Sequence, residues 1–297
     1  MMHQGMLPPG ARIVDDPRNH RIRLVGCGED AAATANAVVE MARSRGYGKI
    51  WGFVAPDEWN ALRKLGFRRE GMLDGFLPDR HGVGIARYLH PDRARSARLA
   101  EEDAIVEQAL AAGPRPPTTL DPAFTVRLAT PEDCDQISRL LTTVFESYPT
   151  PIETGADILR AMAQEVHFAL AEHQGRLVSV ASADVDREHR VAEMTDCATL
   201  PEYRGRGLMQ ALLSAIEGEM RALELRGLFT LARATSVGIN IAFARLGYRF
   251  RGRFINNCHI AGGWEDMNIW SKPLLRAGTH ADASEATRSA STPLNPI

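Results

Sequence analysis

The sequence predicts a mixed α/β fold. Three observations predict it: helix-period and strand-period segments alternate along residues 123–275, a Pro-rich break precedes them, and a shorter run before the break ends in a similar way. The chain has 297 residues, enough for one or two domains, and 44% of them are apolar, enough for a core without staples.

The elements follow in order. Residues 1–11 read as unstructured, and residues 276–297, small and polar, are expected to form a disordered tail. Residues 12–90 form a first unit, with strands at Ile22–Val25, Lys49–Val54 and Ile85–Leu89. Residues 91–122 are a linker: one charged helix over 92–112, then Gly113-Pro114-Arg115-Pro116-Pro117. Residues 123–275 are the second unit. Phe124–Leu128 reads as a strand, and Thr130-Pro131-Glu132-Asp133 as a helix start. A second helix covers 155–165. His167–Ala171 and Leu177–Ala183 form a hairpin across His173-Gln174-Gly175-Arg176. Val191–Ala198 is a strand, Gly207–Arg226 an amphipathic helix, Leu228–Ala232 a strand, and 237–246 a helix stopped by Gly247. Tyr248–Ile255 and Asp266–Trp270 are the last strands. The order is βααβββαβαββ, a mixed sheet with helices on both faces. Leu65-Gly66-Phe67-Arg68-Arg69-Glu70-Gly71 echoes Leu246-Gly247-Tyr248-Arg249-Phe250-Arg251-Gly252, so the first unit reads as a shortened copy of the second.

Composition narrows the function. A formal net charge of -2 argues against a nucleic-acid binder. No apolar run approaches the ~20 residues of a membrane span. Cys27, Cys134, Cys197 and Cys258 are scattered, so neither a metal site nor a redox pair is expected, and a cytoplasmic location is.

The chemistry concentrates in Leu200-Pro201-Glu202-Tyr203-Arg204-Gly205-Arg206-Gly207-Leu208-Met209, between a strand and a long helix. Glycines there let the backbone approach a ligand. The free N–H groups of the first turn and the two arginines suit a pyrophosphate. Two similar strings are set aside. Arg43-Ser44-Arg45-Gly46-Tyr47-Gly48 ends a helix, where Gly is a stop signal. Gly26-Cys27-Gly28-Glu29-Asp30-Ala31 has the context of a dinucleotide turn, but no acid ends the next strand.

The segment Leu200–Met209 resembles the acetyl-CoA motif R/Q-x-x-G-x-G/A of GNAT N-acetyltransferases, with Arg204, Gly207 and Met209 in its fixed places; Met departs from Gly or Ala. Asn240 through Gly247-Tyr248 matches the second family motif. The resemblance covers about 123–275. It implies a GNAT fold preceded by a degenerate GNAT-like half-domain, with acetyl-CoA as cosubstrate and no metal. Cosubstrate contacts are implied at Ala198, Thr199, Leu200, Arg204, Gly205, Arg206, Gly207, Leu208, Met209, Asn240 and Phe243. Phe243 stands where many members carry a general-acid Tyr. The base falls on Glu193, with Asp196 as a second catalytic carboxylate or amine anchor.

Four passages resemble the branch of the family that acetylates the side-chain amine of beta-lysine, giving a compatible solute. They are Phe145-Glu146-Ser147-Tyr148-Pro149, Ala192-Glu193-Met194-Thr195-Asp196, Arg206-Gly207-Leu208-Met209, and Asn256-Asn257 with Gly262–Trp270. Acceptor readers are then Tyr148, Asn256, Asn257, Glu265, Asp266 and Asn268, with His259 as a further candidate, and Tyr148-Pro149 folds as a lid. Alternatives left open are another small amine, a protein N-terminus, or an acyl-CoA sensor without turnover. A homodimer is compatible with the chain.

Overall fold

A computed structural model describes residues 7–116, 119–146, 148, 150–260 and 262–274. The predicted tail and residues 1–6 lie outside this range. Ala11, expected to be disordered, instead opens an edge strand.

The first unit consists of β1 (Ala11–Asp16), β2 (Arg21–Cys27), α1 (Ala31–Ser44), β3 (Lys49–Val54), α2 (Pro56–Leu62), β4 (Arg68–Leu73) and β5 (Gly82–Tyr88). α3 (Leu99–Ala112) links it to the second unit: β6 (Phe124–Leu128), α4 (Cys134–Val144), α5 (Gly155–Ala163), β7 (Val166–His173), β8 (Arg176–Asp186), β9 (Val191–Thr199), α6 (Leu208–Ala222), β10 (Gly227–Arg233), α7 (Val237–Arg245), β11 (Arg249–Ile260) and β12 (Gly263–Pro273). The order βααβββαβαββ is the one that hydrophobic periodicity predicts for residues 123–275.

The helix expected over 92–112 is broken into a short 3-10 turn at Pro91–Ala94 and α3. A long-range contact breaks it. The Asn256 amide donates to the carbonyls of Arg93 and Arg95 at 3.1 and 2.9 Å, so those carbonyls are not available to a continuing helix.

All twelve strands form one sheet, in the order β1-β2-β3-β5-β4-β11-β12-β10-β9-β8-β7-β6. Read outward from the β4–β11 junction, both sides show the same scheme. β2 and β3 are parallel, as are β9 and β10, and a final antiparallel hairpin sits at the junction. The register slips between Arg69 and Gly71 on one side and between Phe250 and Gly252 on the other. Those two glycines face each other across the junction. A Cβ on Gly252, at φ +134°, would lie 2.2 Å from the Glu70 carbonyl oxygen. Replacing Gly252 by Ala therefore overpacks the junction and is expected to cost about 2–3 kcal/mol. Thermal melting should show a drop of about 5–10 °C; an unchanged midpoint would mean that the strands part freely there.

The sheet curls. Trp51 and Phe53 of β3 meet Phe254 of β11 and Phe229 of β10 on its concave side, with ring centroids 5.1–5.5 Å apart and edge-on. Val191, Cys258, Met267 and Ile269 complete this inner core. A separate core lies under α1 and α2, and a larger one packs α4–α7 on the second unit. Across the open rim, Arg12 pairs with Glu188, and Arg18 with Glu153 at 2.8 Å. The first unit thus arches over the face of β9. Among the described residues no helix is long and apolar enough to cross a membrane.

Candidate active site

β9 ends at Thr199, and Pro201–Tyr203 form a single 3-10 turn before the chain enters α6. Gly205 and Gly207 adopt φ of +77° and +79°, a region glycine reaches without strain. Gly207 is the N-cap of α6, and no side chain caps it. The intrahelical ladder starts with Ala211 N–H to the Gly207 carbonyl, so the amides of Leu208, Met209 and Gln210 have no helical partner. No atom lies within 4 Å of a Cβ built on Gly205 or Gly207, so the space before the turn is open. Arg204 and Arg206 flank it, exposed, and Arg204 Nε donates to the Thr199 carbonyl at 3.2 Å. Leu208 is buried and Met209 packs on the core, so the departure at Met209 blocks nothing. An uncapped helix start with open space and two exposed guanidinium groups fits a diphosphate.

The related turn of the first unit is closed. Asp30 caps α1, its carboxylate accepting from the amides of Ala32 and Ala33 at 2.9 Å each. A Cβ on Gly28 would lie 2.4 Å from the Pro9 carbonyl oxygen. Gly46 sits beyond the end of α1 at φ +68°, as a helix stop.

β9 and β10 pair only from Val191↔Gly227 to Glu193↔Phe229, and then they diverge. Beyond Glu193, β9 has β8 as its only described sheet partner. A bulge follows at once: Asp196 takes φ +48°, and the β8–β9 register slips between Val180 and Ser182. Leu200 N–H donates to the Val178 carbonyl. By antiparallel alternation the Ala198 amide also faces β8 and the Thr199 amide faces the fork. Of the three residues implied there, Thr199 aims an amide into the fork, while Ala198 and Leu200 build its wall.

Two implied cosubstrate contacts are corrected. Asn240 is fully buried. Its amide donates to the carbonyls of Arg233 and Ser236, and its oxygen accepts from Asn268 and Trp270. Every bond it can make is used inside the core. Phe243 is equally buried and packs edge-on against Tyr248, 5.0 Å between centroids, so it has no surface to offer a pantetheine arm.

Glu193 lies at the crotch of the fork. Its neighbours Ala192 and Met194 point into the helix-packed core, whereas Val191, two residues away on its own face, lines the concave side. Glu193 keeps partial solvent access but is crowded, and burial raises its pKa to about 7. Arg23 opposes that rise, Asp184 adds to it, Arg21 opposes it and Asp196 adds to it. A base with that pKa is half ionised near neutrality, where general-base transfer works best. It accepts a proton only when ionised, so kcat/KM should fall about tenfold per pH unit below about 7. A pH–rate profile checks this; no break between about pH 5.5 and 8 would remove Glu193 from the role.

Asp196 is buried and accepts from Ser182 Oγ at 2.6 Å. Burial raises its pKa, and bonds from Ser182 and Tyr148 restrain the rise. Tyr148 sits beside Thr195, Asp196 and Cys197 and stacks on Phe145, 4.6 Å between centroids; burial pushes its phenol well above the usual value. Pro149, the other residue of the expected lid, lies outside the described residues.

Most of the expected acceptor readers are structural. Asn256 ties down the Arg93–Arg95 segment, and Asn268 bridges Arg253 and Asn240. Glu265 accepts from Arg233 and Thr235. Asp266 accepts from the backbone N–H of Asn256 and lies against Glu102 of α3, whose pKa rises to about 7, chiefly by burial and then by Asp266 itself. His259 is exposed and meets Trp264 edge-on, 4.9 Å between centroids. Asn257 differs: it is fully buried, and neither its amide nitrogen nor its oxygen has a partner among the described residues. Its carbonyl accepts from Arg21 Nη1 at 2.8 Å, which places it near the Glu193 charge cluster. Arg21, Arg23 and Asp184, which act on Glu193, escape a motif-based reading. For the two arginines the signal is alternation: Arg21-Ile22-Arg23-Leu24 puts two guanidinium groups on one face of an otherwise apolar strand.

Comparison with known proteins agrees with the geometry. The model of the acetyltransferase (GNAT) family matches residues 135–248. N-acetyltransferase YodP of Bacillus subtilis is 38% identical over 260 residues, covering 87% of this chain and 94% of that protein. Beta-lysine N(6)-acetyltransferase of Methanosarcina mazei is 33% identical over 261 residues, covering 81% of this chain and 96% of the relative. The enzyme of the same name from Methanococcus maripaludis is 30% identical over 254 residues, with 86% and 93% covered.

Proposed function

The chain belongs to the acetyltransferase (GNAT) family and is an acetyl-CoA-dependent N-acetyltransferase, and from that premise we propose that it acetylates the side-chain amine of beta-lysine or a closely similar diamino acid. The observation that carries the reading is the position of Glu193. It stands at the last paired step of β9 and β10, at the base of the fork. The fork leads to the uncapped start of α6, and the cleft on the other side is arched over by the first unit. A roofed cleft of mixed charge suits a small zwitterion better than a protein N-terminus. The names of the relatives at 33% and 30% identity point the same way.

The residues act as follows. An alkyl ammonium has a pKa near 10.4, so the acceptor arrives protonated. Glu193 removes that proton and frees the nitrogen lone pair. The cosubstrate supplies a thioester carbonyl, to which nitrogen adds as sulfur leaves. The Thr199 amide faces the fork, where a developing oxyanion needs a donor. Sulfur leaves as a thiolate whose conjugate thiol has a pKa of about 8.5, so it departs without a tyrosine acid at position 243 and then takes up the second amine proton. Arg204, Arg206 and the first amides of α6 hold the diphosphate. Acetylation removes one positive charge from a diamino acid of net charge +1. The product is a neutral zwitterion, suited to a compatible solute in the cytoplasm.

We also read the first unit as a shortened copy of the second. The shared strand order, the matching slip at equivalent positions and the Gly71↔Gly252 pairing support it. Asp30 fills the anion site of that copy, so the unit has no diphosphate turn to offer.

A free-thiol assay with beta-lysine, lysine, simple diamines and an N-terminal peptide tests the acceptor. The reading requires the highest kcat/KM for beta-lysine, with mass added on the side-chain nitrogen. Preference for the peptide would replace it, and coenzyme binding without thiol release would favour a sensor.

A further inference from the structure

The charges that act most strongly on Glu193 are Arg23, Asp184, Arg21 and Asp196. Two of these are already engaged. Arg21 donates to Asp16 at 2.7 Å and to the Asn257 carbonyl at 2.8 Å, and Asp196 accepts from Ser182. Arg23 and Asp184 are not: among the described residues neither makes a side-chain hydrogen bond or an ion pair. Glu193 makes none either. Arg23, Glu193 and the exposed Asp184 thus offer one unspent cation and two unspent carboxylates. A diamino acid carries the complement, one carboxylate and two ammonium groups.

The placement fits this pairing. Arg23 lines a crevice between the units with Val191 and Phe229, and Glu193 lies two residues beyond Val191 on the same face and opposite Phe229 in register. Asp184 is the direct cross-strand partner of Glu193 on β8. The Arg23 guanidinium lies 5.2 Å from the centre of the Trp51 ring. That contact steadies the group while leaving its N–H fork free. Asp186, the acid that lines the crevice beside Arg23, is taken by the backbone amide and ring nitrogen of His189 at 3.0 and 2.7 Å.

We propose that Arg23, delivered by the first unit, binds the carboxylate of the acceptor, and that Asp184 binds its second ammonium, so that the site is completed only when the two units are joined. The assignment rests on the acceptor class proposed above. The unit that lacks a diphosphate turn then reads the end of the acceptor remote from the reacting nitrogen. Arg is the fitting cation, because a planar fork meets a carboxylate through two parallel bonds where Lys offers a point charge.

The test compares beta-lysine with the diamine that its decarboxylation would give, using the full chain. Measured at about pH 9, above the Glu193 break that loss of Arg23 moves upward, Arg23→Gln should raise KM for beta-lysine about 100-fold with kcat within about threefold, and should change kcat/KM for the diamine by less than about threefold. Arg23→Lys should recover part of the loss. Asp184→Asn should weaken both acceptors, since both keep the second ammonium. Coenzyme A affinity and melting temperature should stay at wild-type values in all three. Equal losses on both acceptors with Arg23→Gln would make the residue structural and overturn the assignment, as would no loss on either. A wild-type chain that ignores beta-lysine would overturn the acceptor class itself, a different and separable result.

Discussion

Glu193→Gln lowers kcat about 10²–10³-fold while leaving coenzyme A affinity within about twofold of wild type. The amide keeps the shape of the side chain at the base of the fork but cannot accept a proton. The acceptor must then lose its proton to water before it can attack. The diphosphate turn, on the far side of the fork, should not register the change. The pH break near 7 should vanish with the carboxylate, because burial raises the pKa of that group to this range and the ionised form is the active one. Removing a crowded, unpaired carboxylate also relieves desolvation, so the variant should melt no lower than wild type. Steady-state kinetics, calorimetric titration with coenzyme A and a melting curve together check the set. Parallel losses in turnover and coenzyme affinity would assign Glu193 a structural role.

Gly207→Asp abolishes productive coenzyme binding, with affinity falling at least about 100-fold. The first unit already shows what an acid does at such a position: Asp30 turns inward and occupies the amides of Ala32 and Ala33. At position 207 an aspartate would compete in the same way for the first amides of α6 and set a negative charge against the diphosphate. It would also hold φ near +79°, where a residue with a Cβ loses about 1–2 kcal/mol. Part of that loss is offset by the new helix cap. Stability should therefore change little while binding collapses, and the two are separated by titrating a variant shown to melt normally. Retained affinity would mean that the diphosphate lies elsewhere.

Much of the fold is legible in the chain. The strands and helices of residues 123–275 carry clear periods of 2 and 3.6, and their order follows from those periods alone. The open turn at Arg204–Gly207 is legible because a glycine pair between a strand and an amphipathic helix serves few other purposes. What escapes depends on contacts far apart in sequence. Nothing local says that Asn256 stops a helix by binding the Arg93 and Arg95 carbonyls, while Asn257, next to it, is left unpartnered. Asn240 reads as a cosubstrate contact because it matches the second motif of the resembled family, a lone polar residue on an apolar helix. The same pattern describes a buried hub, and its bonds to Asn268 and Trp270 make it one. β1 escapes because Arg12, Asp15 and Asp16 leave too few apolar residues to mark an edge strand at the start of the first unit. Arg23 escapes because its role depends on a curl of the sheet that brings residues some 170 apart in sequence to one cleft.

The most direct test is a calorimetric titration of the full chain with coenzyme A and, separately, with pantetheine, which lacks the nucleotide and its diphosphate. If the α6 amides and the two arginines grip the diphosphate, coenzyme A should saturate one site and bind at least about 100-fold more tightly than pantetheine. Equal affinities, or no uptake of coenzyme A, would contradict it.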